Sequence, residues 1–327
     1  MRHMQRALHV VLFACLGVVL AAVATAPPAL VNNAEAPRID GDLDGWLAAS
    51  ERAAGLPTGL IPDTEKRIRW HHGPGKEKTY YAIVYLHGFS ATRQEIAPVG
   101  QRVAEALAAN LYETRLSGHG LIRDPLSGVR AEDWLDDAAE ALAIGAAIGE
   151  RIVLMGTSTG ATLALAMAGR PSFEAVDTLV LISPNFAPSD PSAEFLTWPG
   201  GPQLAWMIAG DTRSWTPWNA LQARYWSTTY PMSAVIEMMR LVKHVRARLP
   251  MRLEQSVLVL YSPADTVVDT ARITGTFAQI AGPHRQLVEI LESGDPSNHV
   301  LAGDIMSPQN NALVTARIVS FIKEKNS

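Results

Sequence analysis

Residues 152–160 read Ile152-Val153-Leu154-Met155-Gly156-Thr157-Ser158-Thr159-Gly160, and the chain continues at once into ATLALAMA. An apolar run, a turn of small residues and a row of good helix formers describe a buried strand that bends sharply into a helix. Such a bend needs small flanking residues, so that the backbone can take strained angles and its neighbours can come close. Gly156 and Gly160 meet that need, which leaves the Ser158 hydroxyl standing above the carboxyl end of the strand. Taken alone the pentapeptide is unspecific; between a strand and a helix it is informative.

Outward from this bend the same rhythm recurs. Apolar runs at Ala82–Leu86, Thr178–Ile182, Val257–Tyr261 and Leu287–Leu291 are bounded by Gly, Pro, Ser or Asp and read as further buried strands. Helix-periodic stretches lie at Gln94–Ala109, Ala131–Ile148, Ala161–Ala168, Thr270–Ala281 and Asn311–Lys323. Strands alternating with helices predict an α/β fold with a mostly parallel sheet. The core is expected over 67–184 and 251–327. Between them, 185–250 breaks the rhythm and holds Trp198, Trp206, Trp215, Trp218 and Trp226, five of the eight tryptophans, so it reads as a cap laid over the sheet. Its aromatic and Met side chains build a small core of their own and offer apolar wall to a ligand.

The amino terminus differs in kind. Arg2 and Arg6 precede an uncharged stretch from Ala7 to Ala24 that closes on Ala22 and Ala24 before Pro27 and Pro28. A basic start, an apolar middle and an Ala-x-Ala end make residues 1–24 a secretory signal, or, if retained, a membrane anchor. The expected location is therefore periplasmic or secreted, or membrane-attached; Cys15 is a poor lipid acceptor in its apolar surroundings. Residues 25–66 read as a linker and extension.

Composition removes several function classes. The 327 residues are 48% hydrophobic and 18% charged, too apolar for a disordered chain. With 28 Lys+Arg against 32 Asp+Glu and no basic cluster, no face is suited to nucleic acid. The single cysteine excludes an internal disulfide framework and a Cys-based zinc site, and no His-Glu-x-x-His spacing occurs, so no metal is expected.

A serine hydroxyl attacks only when a base takes its proton and an acid holds that base. Both residue types follow downstream. Asp265 lies in Ser262-Pro263-Ala264-Asp265, just past the strand ending at Tyr261, and His299 lies shortly after the strand near Leu291. Asp265 also suits a helix cap, with Asp269 as the competing acid; Asp295 shares a Gly-Asp-Pro loop with His299 itself. His71, His72, His244 and His284 have no matching position after a strand. Acyl transfer also needs donors for a developing oxyanion, and the backbone N–H groups of Phe89, in His87-Gly88-Phe89-Ser90, and of Thr159 are the candidates. His87 is read as holding its loop.

Leu86-His87-Gly88-Phe89, Ser117-Gly118-His119-Gly120, Gly156-Thr157-Ser158-Thr159-Gly160, Asp265-Thr266-Val267-Val268 and Asn298-His299-Val300, in this order, resemble the α/β-hydrolase superfamily. The chain is most similar to its monoacylglycerol lipase and bacterial carboxylesterase branch over about residues 67 to 325. The resemblance implies an eight-stranded, mostly parallel sheet flanked by helices, with a helical cap after strand six. It also implies a Ser158–Asp265–His299 triad and ester hydrolysis without a cofactor, with His119 as scaffold. Ser158 sets the chain apart from the similar dehalogenase and epoxide hydrolase branches, which carry Asp there. Thr157 and Thr159 replace the larger residues common beside the nucleophile, so no acyl preference carries over.

The expected activity is that of a serine carboxylesterase or lipase-like enzyme on a small-molecule ester with an apolar acyl group, gripped by cap residues such as Trp198, Trp206 and Trp226. Acyl transfer, thioester, peptide or carbon–carbon bond cleavage on the same residues is the alternative, and a silent binding protein a more distant one. The sequence does not set an oligomeric state.

Overall fold

The computed structural model describes residues 26–39, 41–53 and 59–325. The signal or anchor expected at 1–24 lies outside the described residues; within them no helix is long and apolar enough to cross a membrane. Seven strands form the central sheet: β1 (Arg67–Arg69), β2 (Thr79–Leu86), β3 (Asn110–Glu113), β4 (Gly149–Thr157), β5 (Val176–Ile182), β6 (Ser256–Tyr261) and β7 (Arg285–Glu289). Their order across the sheet is β1-β3-β2-β4-β5-β6-β7, with only β1 antiparallel to its neighbour.

Alternation along the central strands explains the layers. Ala82, Val84 and Leu86 of β2, Ile152 and Leu154 of β4, and Leu179 and Leu181 of β5 join one apolar cluster. Their neighbours Ile83, Tyr85, Val153, Met155, Val180 and Ile182 join a second on the opposite face. Fully burying such a side chain contributes about 1.5–3 kcal/mol, so both faces need helical cover. On the first face lie α1 (Leu43–Ala53), α3 (Ala131–Ile148), α4 (Thr159–Ala166) and α8 (Thr270–Ala278); on the second lie α2 (Val99–Ala106) and α9 (Asn311–Glu324). Between β5 and β6 the chain forms α5 (Gly201–Ala209), α6 (Ala220–Tyr225) and α7 (Met232–Arg246), with a small hairpin pairing 212–214 to 229–231. Ala234, Met238, Met239 and Leu241 of α7 join the first cluster, so α7 is the floor of this insertion.

Several details differ from the sequence expectation. The sheet has seven strands among the described residues, not eight, so the insertion follows the fifth; ahead of β1 the chain forms α1, which packs on β1, and an isolated bridge between Leu60 and Leu121. The short strands β1 and β3 went unread because RIR and NLYE carry charge and no apolar run. The helix expected from Gln94 begins at Val99, after Pro98, and that expected to Ala281 ends at Ala278, because Ile280–Ala281 pairs with Met251–Arg252. β7 ends at Glu289, where its pairing with β6 reaches Tyr261.

Candidate active site

β4 delivers Ser158 to the carboxyl edge of the sheet with φ 52° and ψ −117°. That backbone region costs an L residue about 1–3 kcal/mol and persists only where the surroundings impose it. Close packing imposes it here. A Cβ on Gly160 would lie 2.2 Å from the Leu86 carbonyl oxygen, and one on Gly156 would lie 2.5 Å from the Gly160 carbonyl oxygen. The Ser158 N–H donates to the Ile182 carbonyl at 2.8 Å, tying the bend to β5. Ser158 is 7% exposed and lines a cavity of about 750 Å³ between the sheet edge and the cap.

The loop after β6 brings in Asp265. One carboxylate oxygen, Oδ1, accepts the N–H groups of Val267 and Val268 at 2.8 and 3.1 Å; the other, Oδ2, lies 2.7 Å from His299 Nδ1. An acceptor at that distance places the ring proton on Nδ1 and leaves Nε2 as a lone-pair base. His299 lines the same cavity as Ser158. Burial disfavours the charged ring, but the Asp265 carboxylate, helped by Glu95 and Asp295, outweighs it and raises the pKa above the ordinary histidine value.

The competing carboxylates have other work. Asp269 accepts the N–H groups of Ala271 and Arg272 and caps α8. Asp295 Oδ2 accepts the N–H groups of His299 and Val300 at 3.0 and 2.9 Å, which fixes the backbone that carries the imidazole. None of His71, His72, His244 and His284 lines the cavity.

Phe89 and Thr159 also line it. The Gly88 N–H is taken by Glu95 Oε2 at 2.8 Å and the Ser90 N–H by His119 Nε2 at 3.1 Å; between them, the Phe89 N–H has no protein acceptor among the described residues. Thr159 is the first residue of α4, where a helix leaves its N–H groups without internal partners. Two imidazoles hold this turn. His87 Nε2 accepts the Leu116 N–H while its Nδ1–H donates to the Gly88 carbonyl, and His119 Nδ1–H donates to the Ser117 carbonyl. Burial pushes the pKa of His87 well down and that of His119 to about 4, so both stay neutral struts.

Of the three tryptophans expected on the wall, only Trp226 is there, 6% exposed. Trp206 and Trp198 are 62% and 54% exposed and line no part of the cavity. On α5 the cavity takes Leu204, Ala205, Ile208 and Ala209, and at 100° per residue Trp206 falls on the other side. Trp198 stands edge-on to Phe195 at 4.9 Å. Trp215, Trp218 and Met238 also belong to the apolar wall. Sequence reasoning did not single them out within the Trp-rich segment, nor did it find Glu95, which no motif marks.

Residues 83–304 match the family model described as the Alpha/beta hydrolase family. No curated protein matches the chain significantly. Among solved structures, a metagenome-derived lipolytic enzyme is similar at TM-score 0.66 and 18% identity, covering 81% of this chain and 99% of its own. The monoacylglycerol lipase of Paleococcus ferrophilus gives TM-score 0.58 and 14% identity over 78% of this chain and 96% of its own. A monoglyceride lipase variant from Saccharomyces cerevisiae gives 0.56 and 12%, over 79% and 91%.

Proposed function

The chain belongs to the alpha/beta hydrolase family, and from that premise we propose that it is a serine hydrolase cleaving carboxylic esters with an apolar acyl group. The observation that carries this reading is the 2.7 Å contact of Asp265 with Nδ1 of His299, a residue that lines the same apolar cavity as the strained Ser158. In the proposed cycle the Ser158 hydroxyl oxygen attacks the ester carbonyl while His299 Nε2 takes its proton. Asp265 holds the tautomer and stabilises the imidazolium. The Phe89 and Thr159 N–H groups receive the oxyanion. The imidazolium then protonates the leaving alcohol, and water, deprotonated by His299, releases the acid from Ser158. The lipolytic enzymes with the same fold are in keeping with such a substrate class. We also propose that residues 1–24 direct export.

Labelling the purified protein with a fluorophosphonate and sequencing the modified peptide tests the reading. Modification of Ser158 and loss of p-nitrophenyl butyrate hydrolysis in Ser158→Ala are expected; labelling elsewhere, or an equally active variant, overturns it.

A further inference from the structure

Glu95 is a carboxylate for which the proposed cycle has no use. It is 2% exposed, lies beyond the turn that follows β2, and lines the cavity together with Ser158 and His299. Its protein hydrogen bonds fall on one oxygen: the Gly88 N–H at 2.8 Å and the Tyr85 hydroxyl at 2.9 Å both donate to Oε2. The carboxylate lies close beside the bend at Ser158: a Cβ built on Gly88 would lie 2.7 Å from Oε1, 3.3 Å from Oε2 and 3.3 Å from Ser158 Cβ. Burial raises the Glu95 pKa, while the Gly88 N–H, the Tyr85 hydroxyl and the facing His299 favour the ionised form.

The charges around His299 come from three loops. Asp265 follows β6, Asp295 follows β7, and Glu95 follows β2, and all three act on the imidazole. Arg213, on the exposed hairpin, is the one arginine or lysine among the described residues lining the cavity. The carboxylates are not equivalent. Asp295 accepts from the Ser297 N–H and hydroxyl and from the N–H groups of His299 and Val300, so its charge is spread into its own loop. Glu95 has two donors, both on Oε2.

We infer that Glu95 is a positioning residue with two separable effects: Oε2 pins the peptide that leaves the Phe89 N–H facing the cavity, and its negative charge sets the pH at which His299 becomes a free base. This rests on the Ser158–His299 reading of the site. The transition state carries both an imidazolium and an oxyanion, so a carboxylate near both helps one and opposes the other. In the free enzyme only the imidazolium is present, and the effect on its titration is not offset. Removing the charge while keeping the acceptor therefore moves the pH profile more than the maximal rate.

Glu95→Gln keeps an oxygen for the Gly88 N–H and removes the charge; Glu95→Ala removes both. The acid limb of kcat/KM for p-nitrophenyl butyrate is expected to move at least about half a pH unit lower in E95Q, with the plateau within about fivefold of the wild type. E95A is expected to lose more than about tenfold in plateau kcat with KM little changed. The His299 titration, followed by NMR on histidine-labelled protein and assigned with His299→Gln, reads the charge effect without any turnover. A lower His299 pKa in E95Q upholds the charge effect even if Ser158 proves not to be the nucleophile, so failure of that reading is told apart from failure of this one. An unmoved His299 titration, or an E95A plateau equal to the wild type, overturns it. So does a wild-type His299 midpoint at or below the ordinary histidine value, which does not depend on either Glu95 variant folding.

Discussion

Ser158 holds a conformation that its own side chain opposes. Ser158→Ala keeps that opposition and Ser158→Gly removes it, so the two variants, both lacking the hydroxyl, separate strain from chemistry. After allowing for the extra unfolded-state freedom of glycine, Ser158→Gly is expected to be the more stable by about 1 kcal/mol in urea unfolding; a more stable Ala variant would show that the bend carries no strain. At this scale Ser158, Asp265 and His299 were legible because each follows a recognisable strand, and the sheet aligns strand ends whatever lies between them. Asp265 stood open against Asp269 in sequence, and the contact with His299 Nδ1 separates them. Glu95 was not legible. Its place depends on a turn folding back beneath Gly88, and no periodic pattern records that approach.

Among the elements, α5 divides its apolar residues between two faces. Leu204 and Ile208, 54% and 76% exposed, line the cavity, whereas Trp206 and Met207, 62% and 74% exposed, do not. Ile208→Ala or Leu204→Ala is expected to cut kcat/KM for a p-nitrophenyl octanoate about fivefold while leaving the acetate within twofold, since about 0.8 kcal/mol accompanies each buried methylene. Trp206→Ala is expected to leave the octanoate-to-acetate ratio unchanged; a ratio that fell with Trp206 would restore it to the wall. Composition announced an aromatic insertion, but not which face of a nine-residue helix looks inward. Position along the helix decides that, and the insertion's packing on α4 sets the zero of the rotation. β1 and β3 escaped notice for a related reason. Three or four residues with charges among them carry no period to read, and their pairing partners lie more than 25 positions away.

The whole molecule follows the order of motifs in the chain, apart from the eighth strand that the resemblance implied and the described residues do not form. The export proposed for residues 1–24 is checked by the mass of the protein recovered outside the cytoplasm. Cleavage after Ala24 gives a chain beginning at Thr25, and a full-length chain held in the membrane fraction would contradict it. The cap is sewn to the core at several points. The Ser227 N–H donates to the Ser90 carbonyl at 2.7 Å, Asn219 Nδ2 to the Ile305 carbonyl at 3.1 Å, the Ser189 N–H to the Val267 carbonyl at 2.9 Å, and Tyr230 meets Phe89 edge-on at 5.1 Å. Phe89, Ser90, Ser189, Val267 and Tyr230 among them line the cavity, and the stitches leave α5 and the hairpin after it as the stretch with most side chains in water. For the ester substrate proposed above, branching next to the carbonyl is expected to be rejected by the stitched part of the wall, whereas added length that reaches the exposed α5 is expected to be tolerated.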